Sequence, residues 1–299
     1  MPRLKIHHKT EYRYARPVAF GEHRVMLRPR DSHDLRVLGS RLDIAPEPMR
    51  LRWIHDVFGN SVAIATFDER ARKLTFTSEV TVEHEPEEEF ALTPDDPAYF
   101  YPFLYDNDEF PDLKQYVTPN YSDPNGELST WARNFLDEES PSPTFKMLSG
   151  MTHGIRHAFA YRKRHEQGTQ HPLDTLQTGS GTCRDYALLM IEALRRLGIA
   201  ARFVSGYLFT GDDDRHLGGG STHAWVQVYL PSAGWIEFDP TNGITGSRDL
   251  IRVAVARDPS QAIPLHGTYL GPAEAFIDMK VNIDVVSLDQ DKVRTEEEV

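Results

Sequence analysis

Period-two alternation dominates the first ninety residues. Lys73–Glu83 shows it best: Leu74, Phe76, Ser78, Val80 and Val82 fall on one side, with polar residues between them. That is the pattern of a strand with one buried face. Shorter, partly alternating runs cover Leu4–Tyr14, Glu22–Arg28, Val37–Ile44 and Arg50–His55. Val62–Phe67 follows Phe58-Gly59-Asn60-Ser61, a turn signal that predicts a hairpin. Short strands at this spacing predict an all-β, sandwich-like domain over residues 1–90.

Four prolines (Pro86, Pro94, Pro97, Pro102) among acidic and aromatic residues then break the alternation. Residues 91–125 therefore read as a connector lying on the surface of a second domain. From Gly126 the period becomes helical. Glu127–Leu136 is one predicted helix. A second starts after Ser142-Pro143 and runs to about Tyr161, with Met147, Leu148, Met151, Ile155 and Phe159 as its apolar stripe. Arg162–Thr178 is polar and irregular, and Cys183–Leu197 is a third helix. Strands follow at Ala201–Leu208, Thr222–Leu230, Trp235–Asp239, Ile251–Val255 and Ile277–Val286. Helices followed by antiparallel strands make residues 126–290 an α+β domain, and residues 291–299 an acidic, frayed tail.

Composition narrows the class. With 39% apolar and 26% charged residues the chain is that of an ordinary globular protein. No run approaches the roughly 18 apolar residues of a membrane span. The start, Met1 to His8, has no apolar h-region, so no secretory signal is expected. A single cysteine, Cys183, excludes an intrachain disulfide and a thiolate-rich zinc site, which makes the cytoplasm the default location. The net charge of −12 argues against nucleic acid and anionic membrane as partners and mildly favours cationic ones, such as amines or lysine-rich peptides. No cofactor or metal is expected. His153 and His157 have metal-ligand spacing but lack the glutamate of the zinc-protease motif. Gly218-Gly219-Gly220 reads as a mobile flap before His223, and Asp212-Asp213-Asp214 as a solvated loop tip.

The remaining chemistry gathers around the cysteine. In Gly179-Ser180-Gly181-Thr182-Cys183-Arg184-Asp185, Thr182 and Asp185 have capping-box spacing, which puts Cys183 in the first turn of a helix. Unpaired amides and the helix dipole favour a thiolate there. Gly181 would let a substrate backbone approach, and Gly198 closes the helix. A thiolate nucleophile needs a base, and the base an orienting partner. In His223–Leu230, Ala224, Val226, Val228 and Leu230 form an apolar face, opposite His223, Trp225, Gln227 and Tyr229. If that face continues through Ile236 and Phe238, the loop sets Asp239 opposite Trp225 and diagonal to His223. A loop one residue shorter would put them on opposite faces. Cys183, His223 and Asp239, in that order, satisfy the pattern of a thiol acyl-transfer site.

Gly181-Thr182-Cys183-Arg184-Asp185, Ala201 to Tyr207, His223-Ala224-Trp225 and Gly234-Trp235 through Asp239-Pro240-Thr241-Asn242 closely resemble the bacterial transglutaminase-like superfamily. His8 to Tyr14 and Asp56 to Asn60 resemble its β-rich N-terminal domain. The resemblance implies a papain-like transglutaminase core, with Cys183 as nucleophile, His223 as general base and acid, and Asp239 as the group orienting the imidazole. It implies attack on a carboxamide or peptide carbonyl, a thioester, and transfer to an amine or water, with a peptide or protein as substrate. Trp225 and Gly181 are the candidate substrate-binding residues. Arg184, Asp185 and Arg202 match family positions and read as structural. The Cys183 amide is one expected oxyanion donor; Tyr161 and Gln177 are candidates for the second. The competing reading is an inactive binding or scaffold protein on the same fold.

Overall fold

A computed structural model describes residues 2–85, 92–138, 141–162, 168–209, 217 and 220–288. In chain order its elements are β1 (Arg3–Val25), β2 (Leu35–Ala45), β3 (Arg50–His55), β4 (Ser61–Thr66), β5 (Arg70–His84), β6 (Phe100–Tyr101), α1 (Phe110–Val117), α2 (Glu127–Arg133), β7 (Ser142–Pro143), α3 (Thr144–Ala158), β8 (Ala160–Tyr161), α4 (Pro172–Thr178), β9 (Ser180–Gly181), α5 (Cys183–Arg196), β10 (Ala201–Leu208), β11 (His223–Leu230), β12 (Gly234–Asp239), β13 (Ile244–Thr245), β14 (Leu250–Ala256), β15 (Leu265–Leu270) and β16 (Phe276–Ser287). The α+β expectation holds. Among the described residues no helix is long and apolar enough to cross a membrane.

The first sheet is organised around β1. Residues Arg3–Arg13 pair with β5 on one side, and Leu4–Tyr14 pair with β16 on the other. Further along, Ala19–Val25 pair with β15 and His23–Val25 with β4. The β5 register breaks between Arg13 and Val18, a stretch containing Pro17, which has no N–H to give to a ladder. The strand expected at Ile277–Val286 forms as β16, but it joins this first sheet, as β15 does, and not the second domain. Alternation reports which face of a strand is buried. It does not report which strand lies beside it, so this pairing was hidden in the sequence.

The second sheet, in the order β13-β12-β11-β10-β14, is antiparallel throughout. Helix α5 packs on it and is buried along nearly its whole length. The capping box at Thr182 and Asp185 forms, and Gly198 ends the helix at φ +77°. Two helices arise where none was expected: α1 within the connector and α4 within the polar segment after Arg162. Both are short, eight and seven residues, so tertiary contacts outweigh periodicity in forming them. Leu113 and Tyr116 of α1 are buried, with Tyr116 edge-on to Trp235. Helix α3 starts at Thr144, one residue after the proline, because Ser142 and Pro143 pair with β6. The flap glycines 218 and 219, the Asp212–Asp214 tip and the acidic tail lie outside the described residues.

Candidate active site

Four local structures deliver the site. The capping box holds the start of α5: Asp185 Oδ2 accepts from the Thr182 amide at 2.8 Å and from the Thr182 hydroxyl at 2.9 Å. The other oxygen, Oδ1, accepts from the Gln170 amide at 2.7 Å. This fully buried carboxylate therefore ties the segment before α4 to the helix that carries Cys183. Next, β8 lies parallel to β9, with Ala160 opposite Ser180 and Tyr161 opposite Gly181. That bridge brings Tyr161 close enough to Cys183 for the thiol to raise the tyrosine pKa. Gly181 is needed because a Cβ there would come 2.8 Å from the Asp185 Cβ. Gly181 thus serves the packing of β9 on α5, a role the sequence expectation did not include.

The third structure is the β11–β12 hairpin. Its pairs include Val226 with Phe238, Gln227 with Glu237, and Leu230 with Gly234. One further step in that register puts Asp239 level with Trp225, diagonal to His223. The longer-loop register is therefore the one adopted, and His223 Nε2 lies 2.7 Å from Asp239 Oδ2. Both side chains are fully buried. The fourth is the turn after Asp239. The Thr241 amide donates to Oδ1 at 2.8 Å, and Asn242 Nδ2 donates to Oδ2 at 2.8 Å. Asn242 in turn accepts from the Leu217 amide at 2.7 Å. Asn242 closes the Asp239-Pro240-Thr241-Asn242 motif, and the sequence pattern alone assigns it no role. Its place three residues after a candidate triad carboxylate, in a turn, was the available signal.

Electrostatics follow from this packing. Burial works to lower the His223 pKa, but the charge and hydrogen bond of Asp239, together with Cys183, outweigh it and raise the value. Burial works the other way on Asp239; His223, Asn242 and the Thr241 amide overcome it and hold the carboxyl below its ordinary range. With Asp239 on Nε2, the other ring nitrogen, Nδ1, is buried without a well-formed hydrogen bond, and Cys183 is the side chain that meets the imidazole. Burial, and then Cys183, push Tyr161 above the ordinary tyrosine range, so its hydroxyl remains a donor.

Two other expected residues lie elsewhere. Trp225 is completely buried among Val204, Leu208, Leu250 and Val255, and its ring stacks behind His223 at 6.0 Å. It supports the imidazole from within the core and is not a groove wall; its alternation partner Gln227 is equally buried. Gln177 is exposed on α4, and its side-chain amide donates to Glu127. Arg202 lies 3.9 Å above the Trp235 ring and bonds Gln227, a structural arrangement.

The chain matches the bacterial transglutaminase-like N-terminal region over residues 4–83 and the transglutaminase-like superfamily over residues 130–240. An uncharacterised protein of Mycobacterium tuberculosis is 30% identical over 97% of this chain and 94% of its own length. The chain belongs to the transglutaminase-like superfamily. Another uncharacterised relative, from Mycobacterium leprae, is 28% identical over 95% of this chain and 99% of its own. A solved structure from Cytophaga hutchinsonii, titled as a proposed cysteine protease, covers 96% of this chain and is itself 91% covered, with 20% identity and a TM-score of 0.70. It shares the fold. A protein-glutamine gamma-glutamyltransferase of Pseudomonas aeruginosa is 38% identical, over only 24% of this chain and 11% of its own. The transglutaminase-like core of this chain, residues 130–240, contains Cys183, His223 and Asp239.

Proposed function

We propose that this transglutaminase-like protein is a cysteine-dependent acyl-transfer enzyme acting on a carboxamide or peptide carbonyl. The observation that carries the reading is the placement of His223, bonded through Nε2 to Asp239 at 2.7 Å while Nδ1 is buried without a hydrogen-bond partner, so that in this reading it is free to take the Cys183 proton. Asp239 fixes the tautomer and stabilises the imidazolium, as the third member of a triad does. The thiol proton passes to His223 Nδ1, and the sulfur attacks the carbonyl carbon. The tetrahedral oxyanion collapses to a thioester as His223 returns the proton to the leaving amine. Water or an amine, deprotonated by the same nitrogen, then releases the acyl group and restores the thiol. Water and an amine are both acceptors open to the same thioester, and hydrolysis is the outcome we favour. Peptides or proteins are the substrate class.

Two donors serve the oxyanion in this reading, the Cys183 amide in the first turn of α5 and the Tyr161 hydroxyl. Tyr161→Phe removes one donor and leaves the ring packed. It is expected to slow acylation about a hundredfold with little change in thermal stability. An unchanged rate would remove Tyr161 from the mechanism.

The triad itself is tested by alkylation of the single thiol with iodoacetamide across pH. The parent is expected to react readily at pH 6, and His223→Ala about a hundredfold more slowly. Slow alkylation in the parent, indifferent to His223, would establish instead a binding protein on an enzyme's fold.

A further inference from the structure

A cavity of about 310 Å³ opens where the first sheet meets the second domain. Its walls come from both halves of the chain. Tyr12, Met279 and Val281 line it from β1 and β16, and Ile263, Pro264 and Leu265 from the segment leading into β15. On the core side it is lined by Arg184, which follows Cys183, and by Thr222, which precedes His223. The cavity therefore begins one residue from two members of the triad. Nothing in the chemistry of a thiol and an imidazole requires the N-terminal sheet, yet that sheet supplies a wall of this space.

The lining is mostly apolar, with one cation. Among the described lining residues Arg184 is the only one charged at neutral pH. His8, at the floor, hydrogen bonds Tyr207 and Thr10, and burial, with His7, pushes its pKa down to about 4, so it is neutral. Arg184 donates to the Pro259 carbonyl at 2.7 Å and lies 4.7 Å above the Phe203 ring. It has no carboxylate within ion-pair distance among the described residues, although its guanidinium carries five donors. A positive group so placed, on a protein with net charge −12, is suited to pairing with an anion brought by the ligand.

We infer that this cavity is the substrate subsite, shared between the N-terminal sheet and the core, and that it selects an apolar chain ending in a carboxylate, which Arg184 receives. The inference rests on the acyl-transfer reading of Cys183, and it gives the first sheet a part in specificity.

The lone thiol permits a test without a known substrate. Cys183 would be alkylated with iodoacetamide and with N-hexyl, N-(5-carboxypentyl) and N-(5-aminopentyl) iodoacetamide, each rate divided by that of free glutathione. The carboxypentyl reagent is expected to react about tenfold faster than the aminopentyl one, against the repulsion of an acidic protein. Arg184→Met should bring that ratio to about one. Val281→Trp, which fills the cavity from β16 and does not touch Arg184's ties, should remove the advantage of the hexyl over the unsubstituted reagent. That second variant, and the parent's own ratios, decide the matter if Arg184→Met fails to fold. Fast alkylation by iodoacetamide with equal rates for the three long reagents, or a preference for the amine, would overturn the subsite and leave the triad standing. Slow alkylation by every reagent, unaffected by His223→Ala, would overturn both.

Discussion

Asp239→Ala is expected to slow acylation of Cys183 about a thousandfold, read as the burst of p-nitrophenolate from p-nitrophenyl acetate. The size of the effect comes from burial. His223 and Asp239 are both fully enclosed, so the imidazolium depends on that one carboxylate for its counter-charge. Without it, burial is left to push the His223 pKa down, and the imidazolium loses the charge that holds it. Orientation is lost too, because Asp239 is what assigns the proton to Nε2. Asn is no gentle replacement. Both carboxylate oxygens accept from donors, the Thr241 amide on one side and His223 with Asn242 on the other. An amide NH2 would face a donor whichever way it turned.

The same pair leaves a signature in stability. The folded pKa of His223 is raised, so its contribution is complete below about pH 6.5 and drains away as pH rises through the folded value. Asp239 is held low, so its contribution is present above about pH 3.9 and fades on acidification. The gap in urea stability between parent and Asp239→Ala should therefore be widest from about pH 5 to 6.5 and narrow toward alkaline pH. A gap that grew with pH would contradict the charge assignment.

Glu192→Ala is expected to cost about 3–5 kcal/mol, seen as a fall of roughly 10 °C in Tm. Glu192 lies on α5, fully buried, and bonds Arg195 at 2.9 Å and Arg196 at 2.9 Å. It also accepts from the Asn120 and Tyr121 amides, between 3.1 and 3.2 Å, which fastens the end of the connector to the helix. Arg195 is equally enclosed and spends its other donors on the carbonyls of Tyr116, Ala201 and Arg257. Deleting the glutamate strands that cation in the core, where it cannot recover its hydration. The exposed pair Lys146–Asp137, at 2.7 Å, provides the control. Lys146→Ala should change stability by less than about 0.5 kcal/mol.

The sequence spoke clearly where a local rule operates. Thr182 and Asp185 are three residues apart in one chain segment, so their cap could be read directly. The diagonal of His223 and Asp239 needed only face matching across a short loop, since burial of Ile236 and Phe238 admits one register. It was silent where a partner is remote. Tyr161 reaches the thiol through a two-residue parallel bridge, too short to leave any periodicity. Trp225 alternates with residues of a polar face, yet that face is covered by β14 side chains and by Phe58, which nothing near it in the chain foretells. Arg184 looked structural, and its ties to the 259–262 carbonyls are structural. Only the assembled cavity gives the charge a second reading.

The pairing of β16 with β1 bears on how the molecule can be cut. Leu4 lies opposite Ser287, so the first sheet is begun by one end of the described chain and finished by the other. Everything from α1 to β14 is then an insertion between strands of a single sheet, anchored at both of its ends. A break after the proline-rich connector would leave one fragment short of two strands and burden the other with two orphan edges, which invite aggregation. Two anchors also hinder the core from swinging away from the sheet as a hinged lid would, so a cleft between them keeps its width whether or not it is filled.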